Sequence, residues 1–253
     1  MRDQIALAQR MADTARDIVR GAWLDVQSTS KDDGSPVTVY DRLCEQRLRE
    51  LVEATFPQAG FIGEEFPSVR SEAEEVWIVD PIDGTRPFTA GLPTFTTLIA
   101  LRRAGRVVLG LIEQPVLGRR WLAVEGQGCL MDGEPVRARS CTQLSSAVLQ
   151  TSGPLAHAHA FFERMRPLHE QADIVVYEGD GLGFCLLASG GLDLIVDANL
   201  KLHDIAAPLV VLRECGAVVS DWSGRPITGQ DYDGTLLAAC TPELHAQALQ
   251  HLK

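Results

Sequence analysis

Two acids three residues apart, Asp80 and Asp83 in the run Asp80-Pro81-Ile82-Asp83-Gly84-Thr85, are the pair in this chain best spaced for chemistry. The apolar residues 76–79 before them suit a short buried strand, and the run stops at Asp80, which places a carboxylate at the mouth of a sheet. Pro81 keeps Asp80 extended and stiffens a turn, so the two acids can converge on one point. Convergent carboxylates repel unless a cation lies between them. Gly84 and Thr85 then lead towards a helix start, where backbone N–H groups can hold a phosphate beside that cation. The competing reading is a plain turn, since Asp, Pro and Gly are common turn formers.

Other acids repeat the theme. Phe61-Ile62-Gly63-Glu64-Glu65 is a short strand running into two carboxylates; on an extended chain these point to opposite sides, so only one joins a given cluster. Asp41 lies three residues after Thr38, the spacing of a capping box with Asp for the usual Glu. Asp204 sits in the first turn of a helix, where the dipole alone favours an anion. Lys31, in a polar loop, reads as solvated, and residues 72–75 as a solvated acidic connection.

The elements that must position these groups follow from periodicity. Ile5, Ala8, Met11, Ala12, Ala15, Ile18 and Val19 recur at helical steps, giving a first amphipathic helix that ends near Gly21 to Leu24. A second helix enters near Thr38, with Cys44, Leu48, Leu51 and Val52 on its apolar face. From Phe95 onward, turns at Ala104-Gly105, Leu117-Gly118, Gly126, Gly128 and Asp132-Gly133 describe an antiparallel sheet. The second half alternates short strands near 147–149, 174–176, 192–196, 217–219 and 236–239 with helices around 157–171, 181–190, 203–215 and 242–252. The fold class is therefore α/β, with α+β character in the N-terminal half. The expected division is 1–140 and 141–253, with no flexible linker.

A 253-residue chain with 45% hydrophobic residues can bury a large core, and its formal charge of −11 argues against nucleic-acid or anionic-membrane surfaces. The N-terminal stretch lacks the apolar core of a signal peptide, so the cytoplasm is the expected address. Six cysteines without C-x-x-C spacing read as buried free thiols.

Taken together, Ser35-Pro36-Val37-Thr38 leading to Asp41, Gly63-Glu64-Glu65, Trp77-Ile78-Val79-Asp80-Pro81-Ile82-Asp83-Gly84-Thr85 and Asp204-Ile205-Ala206-Ala207 resemble the inositol monophosphatase superfamily of magnesium-dependent phosphatases along nearly the whole chain. Residues 88–123, 178–180 and 200–207 look most like its histidinol-phosphate phosphatase branch. The resemblance implies a layered αβαβα sandwich of the inositol monophosphatase and fructose-1,6-bisphosphatase type, two or three Mg²⁺ ions and a homodimer. It implies that Glu64, Asp80 and the Ile82 carbonyl hold one Mg²⁺ and that Asp80, Asp83 and Asp204 hold another. Asp41, Thr85 and Glu64 would orient or deprotonate the attacking water, and the amides of Gly84 and Thr85 would cradle the phosphate. Glu178, Asp180 and Asp197 fall where the family lines its pocket for the alcohol, and three acids suit a cationic leaving group such as histidinol. Asp180, between two glycines, also reads as a helix N-cap. His203 departs from the aromatic residue the family usually has before its last ligating Asp, and Arg86 from the commoner residues after Asp-Gly-Thr. The expected substrate is a small phosphate monoester, first L-histidinol phosphate, then inositol monophosphate or another sugar or nucleotide phosphate. The expectation of a different class is a paralogue that binds phosphate without turnover.

Overall fold

The computed structural model describes residues 1–24, 26–31, 34–153, 159–177, 179–228 and 232–252. Helix α1 (Arg2–Arg20) is followed by the hairpin strands β1 (Ser28–Ser30) and β2 (Pro36–Thr38) and by α2 (Val39–Thr55). A seven-stranded sheet then forms from β3 (Gly60–Gly63), β4 (Glu75–Asp83), β5 (Thr96–Arg103), β6 (Arg106–Gln114), β7 (Arg119–Val124), β8 (Gly128–Met131) and β9 (Glu134–Val136), in that spatial order, with the short helix α3 (Thr85–Thr89) between β4 and β5. Only β3 and β4 pair in parallel; the rest is the antiparallel meander that the regular turns predict.

The second sheet contains β10 (Val148–Thr151), β11 (Ile174–Tyr177), β12 (Leu194–Asp197), β13 (Val218–Ser220) and β14 (Leu236–Ala239), in the order β11-β10-β12-β14-β13. Helices α4 (His159–Gln171), α5 (Asp180–Ala188), α6 (Leu202–Glu214) and α7 (Pro242–Leu252) complete the chain. The parallel pairs of β10 with β11 and β12 carry the α/β rhythm, while β14 runs antiparallel to both neighbours.

Alternation of side chains along the strands decides the layering. On β4 and β5, Trp77, Val79, Ile99 and Leu101 face α1 and α2, meeting Leu7, Met11, Cys44 and Leu48. Their neighbours Val76, Ile78, Leu98 and Ala100 face the opposite way, onto α5 and α6 through Phe184, Leu187, Leu209 and Leu212. The same two helices cover Ile195, Leu236 and Ala238 of the second sheet. The far side of that sheet, Leu149, Leu194, Val196 and Leu237, packs on α4 and α7. Helices, sheet, helices, sheet and helices thus stack in the expected five layers. Helix α6 is apolar almost all round because it lies between two sheets, with residues 205–212 all buried.

Several local expectations change. Strand β4 does not stop at Asp80 but runs on to Asp83. The acidic connection is shorter than read, because Glu75 opens β4, where it takes Arg103 and Gln4 as partners. Helix α1 ends at Arg20. Residues 157 and 158, at the start of the expected fourth helix, lie outside the described residues. All six cysteines are free; Cys141 is half-buried and the others are buried. Among the described residues, no helix is long and apolar enough to cross a membrane.

Candidate metal and phosphate site

Strand β4 brings its two acids together by a bulge. Asp80 pairs with Leu98 and Asp83 with Thr96, so three steps on β4 oppose two on β5. In a regular strand, residues three apart point to opposite faces; the extra residue returns both carboxylates to one side. The turn expected at Pro81 is therefore a bulge inside a paired strand, and Thr97 fastens it by donating its hydroxyl to the Pro81 carbonyl at 2.8 Å. Gly84 follows at φ +85°, a left-handed conformation that glycine adopts without strain, and starts α3 at Thr85.

Asp204 arrives from the first turn of α6, where its Oδ2 accepts the Lys201 N–H at 2.6 Å. Ligand atoms of Asp80, Asp83 and Asp204 lie within 4.8 Å of one another. A second group, Glu64, Asp80 and His203, meets the same limit. Asp80 belongs to both. Asp80 is 2% exposed, and burial raises its carboxyl above the ordinary range, with Glu64, Asp83 and Asp204 adding repulsion. Burial likewise raises Asp83, with Asp180 and Asp204 adding to it, and raises Asp204 against the pull of His203. Asp83 is held by the Thr96 hydroxyl at 3.1 Å and by the Gly181 N–H. A buried set of oxygen donors that repel one another suits hard divalent cations, which take carboxylates and keep several waters. The residues present fit such a group.

Asp41 serves two neighbours at once. Its Oδ2 accepts the N–H and hydroxyl of Thr38, completing the capping box of α2, while Oδ1 lies 3.4 Å from the Thr85 hydroxyl. The capping and functional readings of Asp41 are compatible because they use different oxygens. Thr85 Oγ1 also lies 3.2 Å from the Ile82 carbonyl, and with one proton it donates to one of the two at a time.

Lys31 is not simply solvated. Its ammonium binds Glu64 Oε1 at 2.6 Å and Glu65 Oε1 at 2.7 Å. Burial pulls its pKa down, but the two carboxylates outweigh this and hold it above the ordinary value. Strand β3 ends at Gly63, so the bend that follows lets both acids reach one ammonium, whereas only Glu64 joins a candidate metal group.

Glu45 is a residue that motif reading overlooks. Fully buried on α2, it accepts the Glu65 N–H at 2.6 Å and the Phe66 N–H at 3.3 Å, and Arg49 binds the same carboxylate at 2.7 Å. A Cβ on Gly63 would lie 2.2 Å from that carboxyl, so glycine is what lets the chain pass. The available signal was an acid in the apolar stripe of α2, one turn after Asp41.

These residues line a cavity of about 170 Å³ where both sheets meet α3, α5 and α6. Glu64, Asp80, Ile82, Asp83, Gly84, Thr85 and Asp204 are among its lining. Asp180 and Asp197 line it too, with Gln150, Ser152 and Phe184, which sequence reading did not single out; Asp180 stands next to Asp83 and Gly84, its Oδ2 2.9 Å from where a Cβ on Gly84 would lie. Asp197, at the end of β12, accepts the Ser152 hydroxyl and the Ala198 N–H, each at 2.8 Å. Asp180 is not an N-cap: Gly179 holds that position and Asp180 opens the first turn of α5. Glu178 lies outside the described residues. Arg86 is exposed on α3 beside a smaller cleft shared with Ser35, Glu64 and Asp180.

Comparison with known proteins bears on the family and the fold. A family model described as the inositol monophosphatase family matches residues 1–253. A histidinol-phosphatase of Mycobacterium tuberculosis is 34% identical over 230 residues, covering 88% of each chain. A chloroplastic bifunctional phosphatase of Arabidopsis thaliana is 32% identical, covering 98% of this chain and 74% of its own. The solved structure of an inositol monophosphatase from Zymomonas mobilis superposes with a TM-score of 0.90 at 36% identity, over 99% of this chain and 98% of that one.

Proposed function

The chain belongs to the inositol monophosphatase family of phosphatases, and from that premise we propose that it is a Mg²⁺-dependent phosphomonoesterase that hydrolyses L-histidinol phosphate to L-histidinol and phosphate. The observation that carries the substrate is the pair Asp180 and Asp197, two further carboxylates that line the same cavity as the acids proposed to hold the metal. A phosphate bound by the metal-holding acids would leave its alcohol in the same small cavity as those two carboxylates. They suit the ammonium and imidazole of histidinol better than a neutral polyol.

When bound, Mg²⁺ supplies charge neutralisation at the phosphoryl oxygens and makes a water acidic enough to attack. The chain's own residues do the rest. Glu64, Asp80, Asp83, Asp204 and the Ile82 carbonyl hold the cations. Thr85, with its proton directed to Asp41 Oδ1, would accept a hydrogen bond from the attacking water and pass its own proton to the Asp41 carboxylate as it takes the water's. The amides of Gly84 and Thr85 hold phosphate oxygens.

Phosphate release should be measured over L-histidinol phosphate, inositol 1-phosphate, fructose 1,6-bisphosphate and 3'-phosphoadenosine 5'-phosphate. The expected result is the highest kcat/KM for histidinol phosphate, with Asp197→Asn raising KM for it more than for inositol phosphate. A wide preference for another member of the panel refutes the substrate and leaves the mechanism standing. Inositol monophosphate is the second reading, favoured by the similarity to the Zymomonas mobilis protein.

A further inference from the structure

We propose that His203 is a metal ligand, its imidazole joining Glu64 and Asp80 in a mixed nitrogen and oxygen site that prefers Mn²⁺ to Mg²⁺. The inference rests on the metal-dependent reading above and assigns a residue and a cation to one half of that centre.

The geometry comes first. One ring nitrogen of His203, one oxygen of Glu64 and one of Asp80 lie within 4.8 Å of each other. With metal–ligand bonds of ~2.1 Å, neighbouring ligands of an octahedral ion stand ~3 Å apart and opposite ones ~4.2 Å, so three atoms within 4.8 Å of one another need close by no more than ~0.6 Å for the widest pair to share one ion. His203 and Asp204 are consecutive in the first turn of α6, and each belongs to a different group around Asp80. One helix start thus supplies one ligand to each of two sites, with Asp80 between them. The ring is well held: its side chain is 11% exposed and Nε2 lies 3.3 Å from Asp204 Oδ1.

The donor types then separate the cations. The Asp80, Asp83 and Asp204 site offers only oxygen, which suits Mg²⁺. Imidazole suits first-row transition cations better than Mg²⁺, and Mn²⁺ is the one of them that also suits carboxylates, so a site of two carboxylates and one imidazole discriminates in favour of Mn²⁺ over Mg²⁺. If His203 instead acts only as a positive or packing partner of Asp204, it gives no such discrimination.

The test titrates Mn²⁺ and Mg²⁺ separately into chelator-stripped full-length protein by calorimetry, then records pulsed electron paramagnetic resonance of the Mn²⁺ form. Nitrogen modulation from a directly bound imidazole is expected, and histidine-specific ¹⁵N labelling of the unmutated protein should change its pattern. In His203→Phe the modulation should vanish and Mn²⁺ affinity at that site should fall at least about tenfold, since losing even a partner of a ligand costs that much. Mg²⁺ affinity at the all-oxygen site should stay within about twofold, because no ligand of that site is removed. Bound Mn²⁺ without nitrogen coupling in the unmutated protein overturns the inference while the metal-dependent reading survives. An equal loss of Mn²⁺ and Mg²⁺ affinity in a folded His203→Phe overturns it too. Failure to bind either ion overturns both readings.

Discussion

Glu45→Gln is the sharpest probe of how the fold holds Glu64. The Glu45 carboxylate is fully buried and takes its partners unequally: Oε1 receives two Arg49 donors and the Phe66 N–H, while Oε2 receives the Glu65 N–H. A glutamine oriented to keep its oxygen on Arg49 turns its NH₂ towards the Glu65 N–H, so two donors face each other where a 2.6 Å hydrogen bond stood. The reverse orientation sets the NH₂ against the Arg49 guanidinium. Either way a buried charged pair loses one member, which costs ~3–5 kcal/mol and, at ~2–4 °C per kcal/mol for a chain of this size, lowers Tm by about 6–20 °C. The bend at Glu64 and Glu65 then loses its anchor, and affinity for the cation that Glu64 binds should fall about 10–100-fold, the usual effect of removing a ligand's support. Thermal unfolding with and without Mg²⁺, together with calorimetric metal titration, reads both quantities. A folded Glu45→Gln with unchanged Tm and unchanged metal affinity would show that the loop after β3 is positioned by something other than Glu45.

Further outcomes follow from the same charges. Asp83→Asn should abolish most turnover yet raise the Tm of the metal-free protein, because it removes a carboxylate that Asp180 and Asp204 repel; a lower metal-free Tm would contradict that. Asp80, Asp83 and Asp204 bind protons more tightly in the folded metal-free chain than when unfolded. Their contribution to stability is therefore complete below the ordinary carboxylate range and is lost as pH rises through their raised values. The metal-free Tm should fall from about pH 4 towards neutrality, and the gain in Tm on adding Mg²⁺ should grow over the same window. A slope unchanged by Asp83→Asn would assign the effect to groups elsewhere. Thr85→Val should lower kcat about 10²–10⁴-fold, the range for losing a positioned acid–base group, with Tm nearly unchanged; loss of folding would mean that its contact with Ile82 is structural.

What the sequence could disclose depended on whether a residue's role is local. Residues 76–79, all apolar, name a strand buried on both faces but not which helices each face meets, so the five layers were expected from the resemblance of the motifs to a known family and not from this run. Asp204 and the Thr38–Asp41 box were local, being defined by helix starts. The bulge was not, because it exists only in the register of Asp83 with Thr96, and nothing in Asp80-Pro81-Ile82-Asp83 names the partner strand. Lys31 was misread for a similar reason: its ion pairs reach 33 and 34 residues along the chain. Glu45 drew no reading, because its partners are the N–H groups of the bend after β3, 20 and 21 residues along the chain. His203 was noticed as a departure from a family pattern, but its place beside Glu64 and Asp80 needs α6 docked on β4 and the bend after β3 brought alongside.

The strain at the site and the rigidity of its frame are linked. Residues 76–79 of β4 are paired on both edges, to β3 and to β5, and Val76, Trp77, Ile78 and Val79 are all essentially fully buried. Each such apolar side chain contributes ~1.5–3 kcal/mol, so the strand cannot move to let its terminal carboxylates separate. Asp204 is no freer, since α6 is clamped between two sheets. With backbone movement closed off, the repulsion is expressed as proton uptake by Asp80, Asp83 and Asp204 and remains available as affinity for a cation. A looser frame would relax the charges apart and weaken cation binding with them. The layers on either side of β4 are therefore part of the site's chemistry, because they keep the acids close enough to need a metal.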